Sequence, residues 1–175
     1  FILNYVNHLP ENKYTVELII MNRTPQYLGE KLKREVKIHY VPERIKNPLG
    51  YNCRVNEIVK KGNYDILWCN FCTLSDITWL KAAKKYGIPV RIAHSHNSEN
   101  MGSKLVLISH LQHKKAISKY VTHFFACSDV AGKFMFGDNI VKQNNYCLIN
   151  NAIETDKYSY NENIRMKTRL DLKIS

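Results

Sequence analysis

Apolar positions along this chain switch between two periods, and the switching outlines its elements. Phe1, Ile2, Tyr5, Val6 and Leu9 recur at helical spacing and Pro10 ends the run, so the chain opens inside a helix. Tyr14 to Met21 begins with alternation and closes in Leu18-Ile19-Ile20-Met21, which suits a strand covered on both faces. Asn22 to Gln26 reads as a turn, Tyr27 to Glu35 as a short basic helix, Val36 to Val41 as a second strand and Pro42 to Gly50 as a loop. Val55, Ile58 and Val59 mark one face of a helix closed by Gly62. Asp65 to Phe71 is a strand. Ser75 is the expected N-cap of a helix over Asp76 to Tyr86, and Gly87 stops it. Val90 to Ala93 is a short buried strand, Lys104 to Tyr120 a long helix and Thr122 to Cys127 the next strand. Ser128 caps a short helix to Phe136 that ends at Gly137, Tyr146 to Ile149 is the last strand, and Glu162 to Leu170 is a charged, exposed helix.

Strand and helix alternate from end to end, which predicts right-handed βαβ units and a doubly wound parallel α/β sheet. The chain shows no internal repeat and no low-complexity tract. Residues 1–153 read as one Rossmann-like domain and 154–175 as a linker and helix leading out of it. The chain does not start with Met, so the expectation is a fragment whose first strand is absent and whose sheet has a gap in the middle.

Composition narrows the class. With 45% hydrophobic residues the chain can bury a core, so disorder is not the default. A net charge of +11 favours anionic partners such as nucleic acid, acidic lipid or phosphorylated small molecules, without choosing among them. Five cysteines are an odd number, and most lie in apolar strand-like runs, which fits a reducing, cytosolic setting without a disulfide framework. No run reaches the roughly 18 apolar residues that span a bilayer, and no secretory signal opens the chain.

The candidate chemistry gathers after Ala93. Ligands of open parallel sheets sit at the carboxyl ends of the strands, and there the chain places His94, Ser95, His96 and Asn97. The two histidines are one residue apart, so an extended backbone would aim both imidazoles at one face. Either could hydrogen-bond a substrate hydroxyl or act as a base near neutral pH. Cys69 and Cys72 have a zinc-like gap that His94 and His96 could complete, but Cys69 sits mid-strand and the pair should face different directions, so no metal is expected. No Gly-rich phosphate loop occurs. The helix from Lys104 to Lys119 is apolar almost all round in its first half and basic in its second, with Lys114 and Lys115. That pattern favours a core helix with a solvated basic end over one lying on anionic lipid. No Arg/Lys-aromatic pattern argues for nucleic acid.

Four stretches in order carry a resemblance: Asp65-Ile66-Leu67-Trp68-Cys69-Asn70, Pro89 through Asn97, Phe124 through Gly132, and Ile149-Asn150-Asn151-Ala152-Ile153-Glu154. Together they resemble the amino-terminal half of family 4 (group 1) glycosyltransferases, closest to the bacterial capsular and exopolysaccharide branch. The resemblance implies one half of a GT-B pair of Rossmann-like domains facing across a cleft, and transfer of a sugar from a nucleotide-sugar with retention and without metal or other cofactor. It implies that this half holds the acceptor, a saccharide or polyprenyl-linked saccharide, at the cytoplasmic face of the plasma membrane. It places the catalytic imidazole at His94, with His96 kept as the alternative. Ser95, Asn97, Ser128, Asn150 and Asn151 are the implied substrate contacts, and Lys104, Lys114 and Lys115 the residues facing an anionic membrane or the acceptor. Asn151 stands where the family carries Gly, and Asn tolerates a left-handed backbone. The donor-binding domain is absent, so these residues alone are expected to be inactive. The rival reading is a non-catalytic basic α/β module that binds RNA or a protein partner.

Overall fold

The structure, a computed structural model, describes residues 2–20, 30–100 and 102–174. Helix α1 (Ile2–His8) leads to strand β1 (Glu17–Ile20), which pairs in parallel with β2 (Lys37–Tyr40). The turn expected at Asn22 to Gln26, and most of the helix expected over Tyr27 to Glu35, lie outside the described residues. Helix α2 (Pro48–Gly62) follows, then β3 (Ile66–Phe71), α3 (Thr78–Lys85), β4 (Val90–Ser95) and α4 (Lys104–Ala116) with a 3-10 turn at Ile117–Lys119. Strand β5 (His123–Ala126), α5 (Asp129–Phe136), β6 (Tyr146–Leu148), a 3-10 turn at Thr155–Tyr158 and α6 (Glu162–Asp171) complete the order. The fold is Rossmann-like. Strands β3-β4-β5-β6 form a parallel four-stranded sheet in sequential order, while β1 and β2 form a ladder of their own. The parallel array therefore comes in two pieces, and Tyr64, just before β3, bridges them by donating its hydroxyl to Glu17 Oε2 at 2.5 Å.

Several element ends differ from the sequence reading for local reasons. Helix α2 begins at Pro48 because Asn47 caps it, its Oδ1 accepting from Gly50 N at 2.8 Å, with Pro at the first helical position where its missing N–H costs nothing. Gly62 stays inside α2, and Asn63 takes the left-handed turn at φ 46°. Helix α3 starts two residues later than expected, and Asp76 rather than Ser75 receives the Thr78 N–H, at 2.9 Å. Gly87 and Gly137 do end their helices with positive φ, and Ser128 does cap α5 by accepting from Ala131 N at 3.2 Å. Strand β4 runs two residues beyond Ala93, through His94 and Ser95.

Strand parity sorts the side chains onto two faces. Leu67, Ala93, Phe124 and Ala126 point to the face under the helices and are buried with Tyr51, Val55, Leu74, Leu80, Ile117 and Met135 in the main core. Right-handed crossovers between sequential parallel strands put α3, α4 and α5 together on that face. Trp68, Asn70, His94, His96 and Phe125 point to the other face, where α1 lies, with Tyr5 edge-on to Trp68 at 5.7 Å. Helix α1 has only seven residues, too few to be stable alone. Arg34 fixes its carboxyl end by donating to the Leu9 and Tyr14 carbonyls at 2.9 and 2.8 Å, and Asn7 donates to Lys31 O at 2.8 Å.

Candidate functional site

At the carboxyl ends of β3, β4 and β5, on the α1 face, aromatic rings pile into a short column. The Trp68 ring lies 5.7 Å from His94 with the planes 3° apart, and His96 stacks on His94 at 4.3 Å and 29°. Phe125 meets both Trp68 and His94 edge-on. The register explains the pile: Asn70 pairs with His94 and His94 with Phe125 across neighbouring strands, so rings of matching parity fall side by side.

Depth separates the two histidines. His94 is fully buried, and burial, with the nearby His96 adding to it, pushes its pKa down to about 4. His96 is half-buried, and burial also lowers its pKa from the usual histidine value. Both rings are therefore neutral at physiological pH. The sequence reading favours His94 for the chemistry, but the structure buries it completely and leaves His96, stacked on it, partly exposed. His96 Nε2 lies 2.8 Å from Asn70 Oδ1. An amide oxygen only accepts, so Nε2 carries the proton and Nδ1 is the acceptor of the neutral ring.

The other expected site residues divide. Ser95 points away: strand β4 continues through it, its side chain faces the core, and its hydroxyl donates to Ala131 O in α5 at 2.9 Å. It is a packing hydroxyl rather than a substrate contact. Asn97 follows on the rim, half-buried, its carbonyl facing the Ser95 hydroxyl at 3.4 Å. Ser128 is at the carboxyl end of β5, with its oxygen committed to the α5 cap. Asn150 and Asn151 follow β6 and are exposed, and their loop is held against α1 by Tyr5 Oη to Asn150 O at 3.4 Å and Asn4 Nδ2 to Ala152 O at 3.2 Å. Four further residues belong to this wall and were not read from the sequence: Tyr5, Trp68, Asn70 and Cys127, whose thiol approaches His96 O at 3.7 Å. Asn70 and His96 are twenty-six residues apart, so only strand pairing reveals the contact.

The cysteine–histidine set does not converge. Cys69 lies on the opposite face of β3 from Asn70, packed against the core, where burial and then Asp76 push its thiol up to about 12. Among the described residues no three His, Cys, Asp or Glu side chains are placed to hold a metal ion.

Helix α4 contradicts the reading of a core helix with a solvated end. Leu105, Ile108 and Leu111 face outward, 77%, 52% and 49% exposed, and Lys104 and Lys115 are exposed with them. Lys114 turns inward instead. Its amine donates to Lys133 O at 3.0 Å and Phe134 O at 2.5 Å, placing a positive charge on the carboxyl end of α5. It is a helix cap and does not face a membrane. No described helix is long and apolar enough to cross a bilayer.

The sequence pattern of Glycosyltransferase Family 4 matches residues 1–157. Among curated proteins, the chain is 26% identical over 168 residues to "Putative glycosyltransferase EpsF" of Bacillus subtilis (strain 168), covering 91% of this chain and 43% of that protein. The chain thus spans less than half the length of this relative. No solved structure matches it significantly.

Proposed function

The chain belongs to glycosyltransferase family 4, and from that premise we propose that it is the acceptor-holding half of an enzyme that moves a sugar from a nucleotide-sugar onto a saccharide. The single observation that carries the reading is the neutral His96 at the strand ends, held by Asn70 and backed by His94 and Trp68. In the transfer, the oxygen of an acceptor hydroxyl bonds to the anomeric carbon, the bond from that carbon to the donor phosphate breaks, and the hydroxyl proton ends on the departing phosphate. A neutral imidazole beside that centre orients a hydroxyl by hydrogen bonding and adds no competing charge. The transfer retains the anomeric configuration and uses no metal. Asn97, Ser128, Asn150 and Asn151 rim the same strand ends and supply further polar contacts for sugar hydroxyls. A second domain outside these residues holds the nucleotide-sugar, consistent with the share of the relative that the chain spans.

The acceptor in this proposal is lipid-linked, and the enzyme works in surface polysaccharide synthesis at the inner face of the plasma membrane. Two exposed apolar groups support a lipid-facing rim. Leu105 and Ile108 are exposed on α4, which is tied to the loop at 73–76 by Ser109 Oγ donating to Ser75 O at 3.1 Å. Arg44 and Tyr51 hold Asp76 of the same loop at 3.6 and 2.7 Å, and Ile45 and Leu49, close to them in sequence, are 92% and 79% exposed. Both groups stand at helix starts that follow strand ends, on the same end of the sheet as His96, with Lys46 and Lys104 among them. Apolar side chains among cations fit an anionic bilayer.

The test is transfer from nucleoside-diphosphate hexoses to a polyprenyl-linked saccharide by the complete protein. Product is expected, with none from these 175 residues alone, and His96→Ala should lower kcat by about a hundredfold. Full activity in His96→Ala would overturn the site assignment. For the rim, Leu105→Asp with Ile108→Asp should abolish co-sedimentation with phosphatidylglycerol vesicles, and unchanged binding would refute it.

A further inference from the structure

We propose that Asn70 is a positioning residue that sets the tautomer and the ring plane of His96. The inference rests on the sugar-transfer reading only for its kinetic consequence, since the tautomer is a property of the folded chain itself. Three observations converge. Asn70 Oδ1 accepts from His96 Nε2 at 2.8 Å, from β3 to the residue that directly follows β4. The His96 ring stacks on one face against His94 at 4.3 Å, a contact that favours this ring plane. Its backbone is pinned as well, His96 N donating to Phe71 O at 3.0 Å and His96 O facing the Cys127 thiol. Strand pairing thus fixes the residue, stacking favours the plane, and the amide fixes which nitrogen holds the proton.

The choice of an amide over a carboxylate has a chemical consequence. A carboxylate at this distance would favour the protonated ring and raise its pKa. A neutral amide oxygen selects the Nε2–H tautomer without adding charge, so the ring stays an acceptor at Nδ1 in the neutral range. His94 cooperates from below: buried and neutral, it offers a flat ring and no charge.

The prediction is read by imidazole nitrogen NMR and by pH profiles, both on the complete protein. In wild type, His96 is expected as the Nε2–H tautomer with a pKa below that of a free histidine. Asn70→Ala should give a mixture of tautomers and lower kcat/KM by about tenfold. Asn70→Asp keeps the acceptor atom and the shape, so it should keep Nε2 protonated while raising the His96 pKa by about one unit or more. The acid limb of kcat/KM should move up with it. A purely structural Asn70 would change stability and leave the His96 tautomer and pKa as they were, and that result overturns the proposal. If the nitrogen signals shift as expected while transfer is unaffected by either variant, Asn70 still positions His96, and it is the sugar-transfer role of His96 that fails.

Discussion

Two imidazole clusters stand at opposite ends of the parallel strands, and they are built on opposite electrostatic plans. At the amino ends, His39 Nε2 meets Glu17 Oε2 at 2.5 Å, with Lys37 at 3.1 Å and the Tyr64 hydroxyl at 2.5 Å on the same carboxylate. Burial alone would favour the protonated Glu17, but the bonds from Tyr64, His39 and Lys37 outweigh it and hold the pKa down to about 2. At the carboxyl ends, His94 and His96 are stacked among rings with an amide for company, and burial keeps them neutral. The first arrangement ties two ladders together by a fixed charge. The second keeps stacked rings uncharged. Around His39 the fixed charge belongs to Glu17, whereas around His94 and His96 no carboxylate is bonded to either ring in the contacts described above.

The comparison breaks most visibly on acidification. His94 has a folded pKa of about 4 against 6.5 unperturbed, so the native state binds its proton more weakly than the unfolded chain. Its contribution is fully present above pH 6.5 and is lost as the pH falls from there towards 4, on the order of 3 kcal/mol in all. Urea titrations at a series of pH values should show this loss, and His94→Phe should remove it. Glu17 acts in a lower window. Its depressed pKa contributes stability that is present above pH 4.5 and lost as the pH falls towards 2. Glu17→Gln should cost about 2 kcal/mol at neutral pH and flatten this second stage, read in the same titrations. Lys37→Ala should cost under about 0.5 kcal/mol, because its partner bond is at the surface and screened. Loss of both acid stages in His94→Phe alone would show that the two clusters are not independent.

How far the sequence carried the fold follows from what each signal depends on. Strand–helix alternation, Gly87, Gly137 and the Ser128 cap are local, and they read correctly. The paired direction of His94 and His96 also followed from parity alone. Ser95 was misplaced because the strand runs two residues past its last aliphatic side chain, and Ser is polar enough to look like loop. The hydroxyl is tolerated in the core because Ala131 O accepts from it. The preference for His94 failed to anticipate depth, since burial depends on Trp68, Phe125 and α1, all distant in sequence. Lys114 looked like a surface charge because its partners are carbonyls of another helix. Asn70 was invisible for the same reason: one amide in an apolar strand means nothing until its neighbour strand is in register.

The most direct test sets His96→Ala beside His39→Ala in the complete protein, each measured for sugar transfer and for melting temperature. His96→Ala should lose about a hundredfold in kcat with little change in melting temperature. His39→Ala should keep its transfer rate and melt several degrees lower, for a cost of about 1–2 kcal/mol. A transfer rate in His96→Ala equal to wild type, or equal losses in the two variants, would contradict the account.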